Sequence, residues 1–413
     1  LTCAGGPPAV GENDKAGALK ETLQADGPEP WLMHASLRLR MLYPKLSSKQ
    51  QVTPSAFSFA EFYPTSPEAS VLLCNAGDAA IDLADPEKAI SAFSKALLKP
   101  MDSSVGCYAT YRRGVARDLS EDRGNALADL KQALQMPDSK PYRDKVLLVL
   151  GDIEQARGSY PEAIVYFRRL VDEHPESRDV VDARLRLGAC YYSRQLFDKS
   201  AEEYLLVVKA GHTDKLPQEV IVWALNWFSE NKRTADAIQL GEAVLKLKGL
   251  DPGLAAECMF LVGETLERAA RYPEASSRYR ELLKEHPTSA RRFSARVGLA
   301  RCLRRTGEHA GAEKLLNELI GETTGVVKSL ATIELASLQL ELKRLDDALR
   351  NYLFVAILEP REDLAEEALY RSAVICSQLG RADDASRYAS EFVSRFPGSK
   401  HRAEVELLIK AGR

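Results

Sequence analysis

Residues 160–177 read YPEAIVYFRRLVDEHPES and residues 272–289 read YPEASSRYRELLKEHPTS, with ten of eighteen positions identical. Catalysis rarely needs two copies of a site, whereas stacked architectures are built from many copies of one phrase. Following Ala163 outward gives Ala89, Ala126, Ala163, Ser200, Ala237, Ala275, Ala312, Ala348 and Ala385, at spacings of 37, 37, 37, 37, 38, 37, 36 and 37. Twelve residues before eight of these nine stands another small residue: Gly77, Gly114, Gly151, Gly188, Gly263, Ala300, Ala336 and Ala373. Four residues after several of them comes an aromatic: Phe93, Phe167, Tyr204, Tyr279 and Tyr352. Nine units therefore account for residues 70 to about 400.

Each unit reads as two helices. In residues 144–180, Val146, Leu150 and Ile153 recur at helical spacing with Leu147 beside them, and Gly158-Ser159 interrupts the period. Ser159 with Glu162 forms a capping-box pattern, and Pro161 falls in the first turn, where its missing N–H costs nothing. Asp85-Pro86-Glu87 predicts the same start in the first unit. Ala163, Phe167 and Leu170 share a face of the second helix, and Pro175 ends it, as Pro287, Pro360 and Pro397 do elsewhere. Helices approach to roughly 8 Å only over small contact residues. Gly151 is thus expected to face Ala163, with the aromatic filling the seam to the next unit. No unit buries its apolar face alone, so neighbours must stack.

The small residue, the Ala-x-x-x-aromatic and the closing proline, as in Gly151…Ala163…Phe167…Pro175, resemble the tetratricopeptide repeat (TPR) family over about four-fifths of the chain. The resemblance implies an all-α fold: a solenoid of helical hairpins in a right-handed superhelix. Its repeats average 37 residues rather than the family's usual 34, with "HPES", "HPTS" and "FPGS" before polar residues. In that stretch they resemble units of bacterial envelope proteins, including outer-membrane assembly lipoproteins and periplasmic Tol–Pal-associated proteins. The unit at 218–255 is the least regular: Gly241 stands where an aromatic is expected, and Trp223 or Trp227 is expected to fill its space.

The ends differ from the array. Residues 1–69 carry eight of the twenty prolines and read as a partly ordered arm, with one short helix permitted by Leu32, Ala35, Leu39 and Leu42. Phe57, Phe59, Phe62 and Tyr63 are expected to pack this arm on the first repeat. Residues 401–413, with Val405, Leu408 and Ile409, suit a C-terminal capping helix. The sequence opens Leu1-Thr2-Cys3 without methionine and so reads as processed or a fragment. Cys3 invites a lipoprotein reading, against which stand its third place and the size of Thr2.

Composition narrows the function. Against 59 Asp and Glu stand 56 Lys and Arg, a net charge of −3 that gives no pull toward nucleic acid. The longest apolar run, Tyr352 to Leu358, is seven residues, far short of the roughly 18 of a membrane helix. Any membrane association would run through a multiprotein complex. The seven cysteines form no C-x-x-C pair, and Cys190 and Cys302 read as buried apolar fillers. No Walker loop, nucleophile elbow, dinucleotide fingerprint or H-E-x-x-H occurs, and no two of the six histidines sit at metal-ligand spacing. His174 and His286 each precede a helix-ending proline, where an imidazole meets the helix's negative end. No catalytic residue, metal or cofactor is expected.

The sharpest charged feature is Arg291, Arg292, Arg296, Arg301, Arg304 and Arg305. In the resembled family the first helix of each unit lines a groove that holds partner peptides. Carried over by position, the groove candidates are Asp152, Tyr192, Asn226, Glu264, Glu267, Arg301 and Arg304. Arg301 and Arg304 would grip a partner carboxylate through forked hydrogen bonds. Alternatively, Glu264 lies 37 residues before Arg301 and Glu267 lies 37 before Arg304, which predicts internal pairing. The expected function is a non-enzymatic scaffold for proteins or peptides within a bacterial envelope assembly. A cytoplasmic adaptor capturing peptide tails and an accessory subunit of an enzyme complex are the alternatives.

Overall fold

The computed structural model describes Ala56, Phe57, Ala60, Glu61 and residues 64–411. Among these residues the only regular elements are helices. They run in pairs: α1 (Pro67–Asp82) with α2 (Pro86–Ala96), α3 (Ser103–Leu119) with α4 (Arg123–Gln135), and, after a 3₁₀ turn at Pro137–Tyr142, α5 (Arg143–Ala156) with α6 (Tyr160–Glu173). Then follow α7 (Val180–Ser193) with α8 (Phe197–Lys209), α9 (Gln218–Glu230) with α10 (Thr234–Leu245), and α11 (Pro252–Arg268) with α12 (Tyr272–Glu285). The last pairs are α13 (Arg292–Arg305) with α14 (His309–Glu322), α15 (Gly325–Glu341) with α16 (Leu345–Leu358), and α17 (Glu362–Gln378) with α18 (Ala382–Arg395), before a final α19 (Arg402–Ala411). Nine pairs correspond to the nine sequence units, the repeated hairpins of an all-α solenoid. Two compact units, Leu1–Glu203 and Tyr204–Arg413, divide the chain.

The turn inside every pair is the same device. The residues at 84, 121, 158, 195, 232, 270, 307, 343 and 380 all have positive φ, five positions before each of the nine register residues. In each turn the next N–H reaches back across the helix end, as Asp85 N to Ala80 O (2.9 Å) and Ser159 N to Glu154 O (2.8 Å) show. This is the Schellman closure, which satisfies carbonyls that the helix leaves without partners. Only Gly158, Gly307 and Gly380 are glycines; Ala84, Glu121, Gln195, Lys232, Ala270 and Lys343 carry a Cβ in the left-handed region. Ala270→Gly is therefore expected to stabilise the protein by up to about 1 kcal/mol, since glycine carries no steric penalty at C′. A thermal melt in which this variant unfolds earlier than the parent would contradict that account.

The second helix starts where the turn ends. Asp85 and Asp122 cap α2 and α4 by accepting from the N–H of Lys88 (3.1 Å) and Asn125 (3.3 Å), and Asp251 caps a first helix, α11, in the same way through Leu254 (2.8 Å). Ser159 stands at the N-cap of α6 as the sequence predicts, but its hydroxyl makes no capping bond, so the capping box is not closed.

The seam between paired helices departs from the sequence reading. Gly151 packs against the ring of Phe167 rather than Ala163: a Cβ there would fall onto ring carbons. Gly77 meets Phe93 in the same way (2.5 Å from a hypothetical Cβ). Tyr279 is held between two glycines, Gly263 of its own pair and Gly298 of the next, each 2.6 Å from its ring by the same construction. The aromatic thus spans both seams, its own and the following one. At Gly241 the space is taken by Val262 of the next first helix, not by tryptophan. Trp223 and Trp227 instead stack on each other (centroids 6.1 Å, planes 17° apart), with Tyr204 edge-on to Trp223 at 6.2 Å.

At the described ends, Ala56 and Ala60 lie in the core of the first pair and Phe57 packs against it under the Lys95 ammonium, 4.3 Å above its ring. Lys99 Nζ donates to Ala60 O at 2.9 Å. Cys3, His34, the short helix expected at 32–42, Phe59, Phe62 and Tyr63 lie outside the described residues. In α19, Val405 is fully buried and Leu408 and Ile409 pack on the last pair.

Candidate functional site

The groove candidates all stand on first helices, and the two compact units hold them separately. In Leu1–Glu203, Asp152 (α5) meets Arg186 (α7), Nε to Oδ1 at 2.5 Å. Burial pushes the Asp152 carboxyl above its ordinary range, opposed by the Arg186 charge. Tyr192 (α7) is 47% exposed, its ring edge-on to Phe197 at 5.4 Å. In the second unit, Asn226 (α9) spends its amide on Val222 O (2.9 Å) within its own helix.

Glu267, Arg301 and Arg304 come together, but not as equivalent positions predict. Arg301 Nε lies 2.8 Å from Glu267 and 3.7 Å from Glu334. Arg304 reaches Glu334 at 3.2 Å and also pairs with Glu341. The result is an alternating chain, Glu267–Arg301–Glu334–Arg304–Glu341, across α11, α13 and α15. Tyr279 donates to Glu267 (3.1 Å), and burial raises the Glu267 carboxyl against the pull of Arg301. Arg304 is 9% exposed, so this is a desolvated pairing rather than a surface one, while Glu264 makes no hydrogen bond or ion pair.

Glu264–Arg301 and Glu267–Arg304, 37 apart, fail to pair because these adjacent first helices meet with an offset, although Arg304 does reach Glu341, 37 residues on. Asp78–Arg112 (2.7 Å), Asp152–Arg186 (2.5 Å), Glu257–Arg291 (2.6 Å) and Glu267–Arg301 (2.8 Å) are each separated by 34 residues. The difference of three is about one helical turn. Glu334, Arg112 and Arg186 were missed for that reason; a search for an acid followed 34 residues later by arginine would have found the last two, and carrying the 37-residue spacing forward from Arg304 would have found Glu341.

The arginine cluster is not one patch. Arg291 holds Glu257 and lies over Phe260 (4.8 Å), Arg292 lies over Phe293 (4.1 Å), and Arg296 binds Glu318 and Glu322 on α14. Only Arg301 and Arg304 join the chain on the first helices.

Other chemistry is muted. The six described cysteines are buried and unpaired. Burial pushes the thiols up, to about 12 at Cys74, Cys258 and Cys302 and about 11 at Cys190, so none is a thiolate near neutral pH. His174 and His286 are the C-cap residues of α6 and α12. Among the described residues no group of His, Cys, Asp and Glu is arranged to hold a metal ion, and no helix is long and apolar enough to cross a membrane.

Two models of the tetratricopeptide repeat match the chain, one over residues 148–214 and 263–326 and the other over 71–98, together less than half of it. No curated protein sequence matches. Among solved structures, PilW, described as a widely conserved type IV pilus biogenesis factor, is 17% identical with a TM-score of 0.42, covering 55% of this chain and 99% of its own. MamA is 18% identical with a TM-score of 0.34, over 39% and 87% of the two chains. A tetratricopeptide repeat protein from Parabacteroides merdae is 14% identical with a TM-score of 0.33, over 66% and 99%.

Proposed function

The chain is a tetratricopeptide-repeat protein, and on that premise we propose that it is a non-enzymatic scaffold gripping partner segments along the faces of its first helices. The observation that carries this reading is the presence of charged side chains on the first helices of both units, Asp152 in one and Glu264, Glu267 and Arg301 in the other. Of these, Arg301 keeps 38% of its side chain exposed and Asp152 keeps 35%, so both remain within reach of a ligand. The Asp152–Arg186 pair, with both side chains about a third exposed, is of the kind that contributes only about 0–1 kcal/mol. A partner carboxylate or guanidinium can therefore replace one member at little cost. Tyr192 on α7 of the first unit and Asn226 on α9 of the second are further candidates, and Arg304 acts as the buried strut behind Arg301 rather than as a contact.

The 37-residue repeat style favours an envelope assembly as the setting. The unpaired state of the six described cysteines favours the second reading, a cytoplasmic adaptor for peptide tails. Quantitative affinity purification with the parent, Arg301→Glu and Asp152→Arg separates a working face from a structural one. Each variant is expected to lose a defined subset of captured proteins; Asp152→Arg should leave the melting temperature almost unchanged, whereas Arg301→Glu, set between Glu267 and Glu334, should lower it by less than Arg304→Glu does. Identical capture by all three would remove the first-helix face from recognition.

A further inference from the structure

A cleft of about 540 Å³ opens in the first compact unit, and none of the first-helix candidates lines it. Lys131, Leu134 and Gln135 of α4, Met136, Pro137 and Ser139 of the 3₁₀ turn, Arg143 at the start of α5, and Tyr166 and Arg169 of α6 line it. Its volume is that of a small-ligand or side-chain pocket, for which about 300–1,000 Å³ is usual. Three cations, Lys131, Arg143 and Arg169, line it and no acid does, although Glu173 close by interacts with both arginines. Arg169 is taken by Glu173, Nε to Oε1 at 2.8 Å. Arg143 has no acceptor for its side chain, and its Nε is closed off from solvent without a hydrogen bond. Lys131 is exposed and makes no hydrogen bond or ion pair.

An arginine donor shut away from water without an acceptor is costly, and such groups are normally satisfied. The carboxyl end of α4 is the competing use for these cations, through its last carbonyls. Neither Lys131 nor Arg143 bonds to one of them. Leu134, Met136 and Pro137 supply an apolar strip beside the cations.

We propose that this cleft binds an acidic side chain of a partner protein, with Arg143 forking onto the carboxylate, Lys131 as the second cation, and the Leu134–Met136–Pro137 strip holding an adjacent apolar residue. A single carboxylate matches Arg143, whose Nε has no hydrogen-bond partner, together with Lys131 beside it. A dianionic phosphate would need Arg169 as well, which Glu173 already occupies.

The full chain, probed on an array of random dodecapeptides, tests this. Peptides that depend on the cleft are expected to carry Asp or Glu beside an apolar residue. Arg143→Gln should weaken them about tenfold, the loss expected for one charge-assisted fork, with Arg143→Lys intermediate. Lys131→Gln should weaken the same set less, and changing the peptide acid to Gln should abolish the signal. Overlaid melts of parent and variants exclude a folding defect. An Arg301→Glu protein should bind these peptides normally, so failure here and failure of the first-helix face are told apart. An array on which no signal depends on Arg143, or on which phosphoserine in place of the acid binds more tightly, overturns the proposal.

Discussion

A methyl group at Gly151 is expected to destabilise the protein by about 1–3 kcal/mol, and a leucine there by the top of that range or more. The ring of Phe167 already occupies the place where a Cβ would be built, and Phe167 is itself fully buried. A rigid ring in a close-packed seam cannot swing aside as a lysine tail would. Relief should therefore come only from shrinking the partner. Gly151→Ala combined with Phe167→Leu should recover part of the loss, with a coupling energy of roughly 0.5–3 kcal/mol in a double-mutant cycle. In one later pair Ala336 and Tyr352 hold the same two positions, both buried, so a seam accepts a methyl when both sides are chosen together. Urea unfolding of the two single variants and the double variant measures the cycle. A Gly151→Ala curve that overlays the parent would show that the helices of this pair do not depend on ring-to-backbone contact.

Charge reversal at Arg304 should be more damaging still. Its side chain is 8% exposed and answers two carboxylates, Glu334 and Glu341. Removing one partner of a buried pair costs about 3–5 kcal/mol because the remaining charge is left in a poor solvent. Arg304→Glu places a third negative group there instead. The loss should be recovered largely by adding Glu334→Arg and Glu341→Arg. It should not be recovered by Glu264→Arg with Glu267→Arg, the pairing that equal repeat positions would suggest. Arg301→Glu, with a half-exposed side chain, should cost less than Arg304→Glu. Thermal melts of the five proteins rank these outcomes. Rescue by the Glu264 and Glu267 changes alone would mean that the observed offset between first helices is absent in solution.

Both experiments address contacts that the repeat register places near one another without saying which atoms meet. The nine helix pairs, their order, the small residues and the aromatics were legible in sequence because helical periodicity and a fixed repeat are local properties of the chain. The nine left-handed turns were also written there, five residues before each register position, but mostly without glycine. Six of the nine carry ordinary side chains, so the usual turn signal was missing and only Gly158 drew attention. The candidate site was legible as seven positions, five of them charged, and all seven lie on first helices. Their partners were not legible.

The amino-acid sequence determined by itself that this chain is a stack of helical hairpins, since no unit carries an apolar face that it can bury alone. Tertiary structure decided everything that depends on how far one helix slides along the next. An offset of one turn moves the partner of Glu267 from Arg304 to Arg301 and recruits Glu334, while Arg304 keeps a partner 37 residues on, Glu341. It likewise lets one ring, Tyr279, fill two seams at once, and leaves Gly241 to Val262 rather than to a tryptophan. Repeat spacing names equivalent residues, whereas packing brings together residues that are close in space. Where stacked helices are staggered those are different residues, and only the coordinates of neighbouring helices distinguish them.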